Sequence, residues 1–443
     1  MSHPLNLITG DSVLPPKADV VIIGAGIVGI TAALDLARNG LKVAVVEKGL
    51  VAAEQSSRNW GWVRQQGRDR RELPLIVESL KIWESLQNEA DIELGFRRTG
   101  LFSLSSDPAE LARWQRWAVN GRAAGITVDE LSATEAEAAF PGGPRPWIGG
   151  LHTPTDAQAE PAIATPALAE AARSAGTTLH QQTAVRGLEI TNGAVTGVIT
   201  EKGRIAAPAV LVAAGAWSSL LLRQHGIRLP QINVRSTVVR TTEAPEVIHG
   251  TFCSTDFCLC RRQDNSFTLT LRGDETFDLS PDGFRFFRDF IPVLKRNHGD
   301  VKIRFGSAFF STIRNERRRA LSDRSVYEEI RTYDPPPDTK VVRKALARFK
   351  QGRPELAAVD VAESWAGRID MTPDLIPVIS KVPSLSGVTV ATGFSGHGFG
   401  IGPGAGRLAS DLVRNASPIV DPTPFRITRF SDGTPIFLDP DVI

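Results

Sequence analysis

Ala18-Asp19-Val20-Val21-Ile22-Ile23-Gly24-Ala25-Gly26-Ile27-Val28-Gly29 is the stretch on which the reading of the whole chain turns. Its first half is a short apolar, β-branched run, the composition of a strand buried in a parallel sheet. Its second half is a complete GxGxxG. Gly24 permits a tight turn out of the strand, Gly26 lacks a Cβ so that a pyrophosphate can approach the backbone, and Gly29 lets the next helix press on the sheet. The pattern predicts that helix from about Ile27 to Arg38, with Gly29 and Ala33 on one packed face and Asn39-Gly40 as its stop. A second strand, Lys42 to Val46, ends at Glu47, eighteen positions after the last glycine. A carboxylate at that spacing suits the ribose hydroxyls of a dinucleotide. Strand, glycines, helix, strand and acid in this order predict a dinucleotide-binding βαβ unit with a pyrophosphate at the helix N-terminus. The fingerprint alone does not choose between NAD and FAD.

Three further segments bear on that choice. Gln55-Ser56-Ser57-Arg58-Asn59-Trp60-Gly61 follows the second strand and offers hydroxyls and an amide beside the dinucleotide site. Pro208 to Ala214 reads as an apolar strand that turns sharply at Gly215 and continues as Ala216-Trp217-Ser218. It follows a β-rich stretch around Val185, Leu188, Val195 and Val198, with Asn192-Gly193 as a hairpin turn. Near the C-terminus, Trp365-Ala366-Gly367-Arg368 leads to Met371-Thr372-Pro373-Asp374, then to a strand over Gly387 to Ala391 and to Thr392-Gly393-Phe394-Ser395-Gly396-His397-Gly398-Phe399-Gly400. A helix is expected from about Gly404 to Val413. A glycine-rich loop ahead of a helix presents N–H groups and a positive helix end to an anionic partner, such as the flavin edge that gains negative charge on reduction.

Together these segments resemble the D-amino-acid oxidase family of flavoproteins, which includes glycine oxidase, sarcosine oxidase and D-amino-acid dehydrogenases. The resemblance spans about residues 18 to 413 and implies an α/β (α+β) fold: a discontinuous Rossmann-like FAD-binding domain and a substrate domain with a mainly antiparallel sheet. It implies that Gly24, Gly26, Gly29, Glu47 and Lys48 hold the ADP half, that Val185 contacts the adenine end, and that Ser56, Ser57 and Arg58 lie along the pyrophosphate and flavin. Gly215, Trp217, Gly367, Arg368, Gly396, His397, Gly398, Phe399 and Gly400 would complete the cofactor site. Sarcosine-oxidase-type members carry a flavin-tethering cysteine just before the Met-Thr-Pro-Asp stretch; Gly367 to Asp370 contain no thiol, so FAD is expected to be non-covalent. Those members also place a lysine where this chain has Gly400. The implied reaction is oxidative deamination of an amino acid, a D-amino acid favoured, by hydride transfer from the α carbon to flavin N5, giving an imine that hydrolyses. A secondary amine (an N-methyl amino acid, opine or imino acid) is the alternative, or a flavoprotein subunit passing electrons to a partner. The electron acceptor is expected to be oxygen, a quinone or a partner protein.

An α-carboxylate calls for a bidentate arginine. Arg64, close after the flavin-contacting loop, is the first candidate, with Arg262 and Arg272 as alternates. His397 is the second catalytic candidate, to tune the flavin or orient the amine. Trp60, Trp62 and Phe394 are candidate apolar walls, whereas Tyr327 and Tyr333 fall in a polar insert, so a tyrosine-lidded pocket is not expected.

Composition limits the rest. Fifty-one Lys and Arg against forty-nine Asp and Glu leave a formal charge of +2, which argues against nucleic acid as a partner. The basic run Arg314, Arg317, Arg318, Arg319 is diluted by Glu316 and Asp323 and reads as a solvated face. Cys253, Cys258 and Cys260, an odd count, suggest structural cysteines in a reducing compartment rather than a disulfide framework, and no metal-ligand spacing is present. No secretory signal is visible. The chain is expected to be cytoplasmic, with peripheral contact at the inner face of a membrane left open. The expected division assigns 18–92, 150–233 and 358–420 to the FAD domain and 93–149 and 234–357 to the substrate domain. The segment from Asn315 to Lys350, broken by Pro335-Pro336-Pro337, reads as an insert over the active site or a docking arm.

Overall fold

A computed structural model describes residues 5–89, 92–142, 145–255, 257–296, 301–315 and 319–442. Glu316, Arg317 and Arg318 of the basic run lie outside the described residues. The nucleotide-binding half is built on β1 (Val20–Ile23), α1 (Ile27–Arg38), β2 (Val43–Val46), α2 (Leu73–Gln87), β3 (Thr178–His180), β4 (Ala209–Val212), β5 (Val378–Lys381), β6 (Val388–Thr392) and α3 (Gly398–Arg414). Its sheet runs β5-β6-β4-β1-β2-β3. All neighbours are parallel except the edge strand β5. The β-branched run at 20–23 becomes the central strand because both of its faces are buried. Val20 and Ile22, with Val43 and Val45 of β2, pack into one core, and Val21 and Ile23, with Ala44 and Val46, into the opposite one. Alternation with period two thus serves two apolar layers at once.

α1 and α3 lie together on the first of these cores. Helix α3 begins at Gly398, six residues before the expected start. Glycine every second residue weakens helix propensity by about 1 kcal/mol per position, but here packing overrides propensity. A Cβ on Gly400 would stand 3.0 Å from Trp62 O, one on Gly402 2.7 Å from Ile27 Cγ1, and one on Gly404 2.8 Å from Leu75 O. The Gly400 carbonyl accepts from Ser79 Oγ (2.8 Å) and Trp83 Nε1 (2.9 Å) of α2. These bonds stitch α2 to the first turns of α3.

The second half is a ten-stranded sheet. It is mainly antiparallel, with parallel pairing of Leu101–Ser105 with Thr251–Cys253 and of Glu275–Asp278 with Val301–Arg304. Its longest ladder joins Ile232–Thr241 to Val361–Met371. Three segments cross the expected boundaries. Gly149–Thr153 pairs with Leu101–Ser105 in this sheet, Val361–Met371 runs from it into the nucleotide half, and residues 326–338 fold back onto the nucleotide half. Asn192 (φ 52°) and Gly193 (φ 76°) turn the hairpin Val185–Thr191/Ala194–Thr200, as their sequence predicts.

The cysteines depart from expectation. Cys253 and Cys258 stand opposite one another in a hairpin, with Cα atoms 4.2 Å apart, and form a disulfide; only Cys260 is free, and it is buried. Their spacing in sequence does not reveal the strand register that brings them together. Among the described residues, no helix is long and apolar enough to cross a membrane.

Candidate active site

One cavity of about 370 Å³ runs along the C-terminal ends of the parallel strands and under the large sheet. At one end it is walled by Glu47, Lys48, Val185, Trp217 and Tyr327; at the other by Trp60, Trp62, Arg64, Phe394 and His397. A crevice at the strand carboxyl ends is where doubly wound sheets bind ligands.

The glycine turn forms the mouth of α1. Gly24 adopts φ +107°, and a Cβ there would meet Ala213 O at 2.4 Å. On Gly29 it would meet Gly24 O at 2.2 Å, so this glycine permits close helix packing and does not line the cavity. On Gly26 it would meet only Ser56 Oγ, at 3.1 Å. The backbone at Gly26 is therefore open to the cavity. Ser56 Oγ accepts from Ile27 N at 2.9 Å, covering one N–H of the helix mouth. Ser57 sits differently from expectation: it is buried off the cavity wall, because the short helix Gln55–Arg58 turns it inward.

Glu47 accepts from Ala25 N (2.9 Å) and Gly49 N (2.7 Å), which points its carboxylate across the glycine turn. Burial raises its pKa despite those bonds and the charge of Lys48. Lys48 Nζ donates to Glu54 Oε1 (2.6 Å) and to the carbonyls of Ile330 (3.0 Å) and Arg331 (2.8 Å), and lies over the Trp217 ring. Trp217 Nε1 donates to Glu54 Oε2 at 3.0 Å. Residues 326–338 form a strap across this end. Arg331 pairs with Glu201, Tyr333 N donates to Glu54 Oε1 (3.1 Å), and Asp334 pairs with Arg58. Arg368 stacks on Tyr333, 3.4 Å from the ring centre. Tyr327, buried and edge-on to Trp217, walls the cavity at this end, away from Arg64. Of the two readings the sequence offers for this segment, an insert over the site or a docking arm, the strap fits the first.

At the far end Arg64 reaches the cavity under the Trp62 ring, and one of its guanidinium nitrogens donates to Gln66 O at 2.5 Å. Gln66 is itself held by Thr153 and Ser103. Burial and the neighbouring Arg68 depress the Arg64 guanidinium to about 9, so it remains charged at neutral pH. Behind it, burial raises Asp156 to about 6 although Gln65 and Gln66 donate to it. The alternates Arg262 and Arg272 are off the cavity wall and pair with Glu160 and Glu110. Asp370 was not singled out from sequence. It accepts from Gly393 N and Gln231 Nε2, both at 2.9 Å, and ties the long ladder to the loop before α3. Gly215, Gly367, Gly396, Gly398, Phe399 and Gly400 all line the cavity, and none of the three cysteines does.

This geometry fits an extended anionic dinucleotide with a ring at its far end. It offers a helix mouth whose backbone is open at Gly26, an acid at the ribose position, and a glycine-rich helix start opposite two tryptophans.

Comparison with known proteins agrees. A family model described as FAD dependent oxidoreductase matches residues 19–412. Glycine oxidase of Pseudomonas aeruginosa is 26% identical over 425 residues, covering 92% of this chain and 97% of that protein. Human mitochondrial sarcosine dehydrogenase is 25% identical over 94% of this chain, which spans only 42% of that longer protein. Among solved structures, L-amino acid deaminase from Proteus myxofaciens in complex with anthranilate superposes with a TM-score of 0.93 at 27% identity, over 97% of both chains.

Proposed function

This chain belongs to the DAO family of FAD-dependent oxidoreductases, and on that premise we propose that it oxidatively deaminates an α-amino acid bound between Arg64 and His397. FAD-dependent oxidation of an amine or amino acid follows from the family and its relatives. The observation that carries the finer reading is the continuity of the cavity from the α1 mouth to Arg64. A substrate seated at the Arg64 end lies beside the position of the cofactor's ring.

Arg64 presents a charged, partly desolvated guanidinium that suits an α-carboxylate, and its anchor on Gln66 O fixes the fork before substrate arrives. Trp60, Trp62 and Phe394 exclude water and suit an apolar side chain. His397 faces the same space and is held neutral: burial and Arg68 lower its pKa to about 4. A neutral ring can accept a hydrogen bond or a proton from the substrate nitrogen, which must be the free amine for its α C–H bond to be oxidised. Non-covalent FAD supplies the hydride acceptor at N5, and water hydrolyses the imine. Positioning of this kind can be worth ~7–11 kcal/mol of barrier.

The D-amino-acid preference expected from sequence draws no support from the relatives. The likeness to an L-amino acid deaminase supports L substrates instead.

The test is anaerobic titration of the holoenzyme's flavin absorbance with D-, L- and N-alkyl amino acids. Bleaching by apolar L-amino acids is expected. Bleaching by N-alkyl substrates alone would replace this reading with secondary-amine oxidation, in line with the sarcosine dehydrogenase relative. Substituting Arg64→Met is expected to weaken substrate binding about 10–100-fold, the loss of one charge-assisted pair.

A further inference from the structure

A buried carboxylate stands behind His397 with no part in the chemistry described so far. Glu72, at the N-terminus of α2, has a fully buried side chain, and neither oxygen accepts an aligned hydrogen bond. Its Oε2 lies 3.3 Å from His397 Nδ1, which is also buried and also without an aligned partner. A buried ionised carboxylate left without a partner is strongly unfavourable. A small rotation of either group converts this contact into a charge-assisted hydrogen bond.

The surroundings favour the charged acid and the neutral ring. Burial alone pushes the Glu72 carboxyl up, but His397, Arg68 and Arg71 hold it below the ordinary carboxylate range, and the positive end of α2 acts in the same sense. His397 heads α3, whose positive end disfavours an imidazolium. The charges facing the pair come from the stretch that carries Glu72: Arg64 and Arg68 on the cavity side, Arg71 beside the acid, and Asp69, a like charge that Arg71 pairs with. The first turn of α3, Gly398 to Ile401, adds none. Because Nδ1 is buried, the exposed 16% of the His397 side chain belongs to the opposite ring edge, which carries Nε2 and faces the cavity.

We propose that Glu72 is a positioning residue: by accepting the Nδ1–H of His397 it fixes the tautomer whose Nε2 lone pair faces the substrate and takes the proton from the substrate ammonium. The inference rests on the amino-acid reading of the site. In this step one N–H bond of the ammonium breaks and one Nε2–H bond forms; no electrons change hands, and the imidazolium is stabilised by the Glu72 carboxylate. Burial and Arg68 are the main causes that depress the ring, and the bound substrate's carboxylate offsets the smaller contribution of Arg64. Orienting a histidine through a buried acid is a recognised way to make its other nitrogen a base.

The test uses holoenzyme uniformly labelled at histidine nitrogen, with H397Q to assign the signal among seven histidines. Wild type is expected to show His397 as the Nδ1–H tautomer and E72Q to lose that preference. An Nε2–H tautomer in wild type overturns the proposal without any activity being measured. In rapid-mixing reduction of the flavin by substrate, E72Q is expected to be slower by about 10²-fold, with the acid limb of the rate of reduction moved to lower pH because the carboxylate that raises the ring's proton affinity is gone, and E72D to recover part of the rate; an acid limb that stays in place or moves to higher pH would overturn the proposal. The deciding comparison is the double variant: E72Q should add nothing in the H397Q background. An equal loss there would mean that Glu72 acts only through structure and would overturn the proposal. If no amino acid reduces the wild-type flavin, the amino-acid reading and the base role fall together, and the tautomer result separately reports whether the pair is built as described.

Discussion

A Cβ placed on Gly26, at the mouth of α1, would meet a single atom, Ser56 Oγ at 3.1 Å, whereas one placed on Gly406 in α3 would fall 2.0 Å from Thr31 Oγ1 and 2.8 Å from the Ala32 nitrogen. The two segments are alike in composition, and each opens a helix that borders the cavity. In the first, glycine keeps space for a ligand. In the second, it removes space between helices: Thr31 Oγ1, which donates to Ile27 O of its own helix at 2.8 Å, lies only 3.2 Å from Gly402 O across the gap. A glycine-rich helix start therefore signals close approach, but the sequence does not say whether the approaching group is a phosphate or another helix.

Substitution by alanine separates these roles. Gly24→Ala should be the most damaging, because it forces a side chain into φ +107° against the Ala213 carbonyl; strain and overpacking together suggest a loss of about 3–5 kcal/mol, read as a fall in denaturation midpoint. Gly406→Ala should cost about 2 kcal/mol, a clash partly offset by alanine's better helix propensity, with cofactor affinity little changed in the protein that remains folded. Gly26→Ala should leave the apoprotein's stability almost untouched and weaken FAD binding about tenfold, or ~1.4 kcal/mol; a fall in apoprotein stability with normal FAD affinity would break the distinction between the two helices. Gly40→Ala, at φ +82° with no atom within 4 Å of the added Cβ, should cost about 1 kcal/mol or less and serves as the baseline for backbone strain without contact.

The same contrast explains what the sequence disclosed. The path from Ala18 to Glu47 was legible because a strand, a strained turn, a helix and an acid constrain one another within a short span, and each constraint is local. Asn192-Gly193 was legible for the same reason. Arg64, which lines the cavity, stood out by its proximity to the Ser56 loop. Glu72 and Arg68 were not, since an acid and an arginine near a helix start look like ordinary solvated charges until Ser79, Trp83 and Gly400 join α2 to α3. The start of α3 was misplaced because propensity was weighed without the neighbours that make its glycines necessary. The 315–350 segment reads in sequence as an insert over the site or a docking arm, but the contacts of its strap were not legible because their partners, Lys48, Glu54 and Glu201, lie far away in the chain.

The strand order β5-β6-β4-β1-β2-β3 also sets a timetable. β4 is made early, but Val210, Leu211 and Val212 pair with Val388, Thr389 and Val390, which leave the ribosome on the order of ten seconds later. Through that interval the apolar run Ala209–Val212 has an unfilled hydrogen-bonding edge, the kind of edge that invites pairing with another chain. Yield in the cell should therefore depend on how well that edge is shielded until Val388–Thr392 arrives, a matter of traffic during synthesis that the stability of the finished fold does not measure.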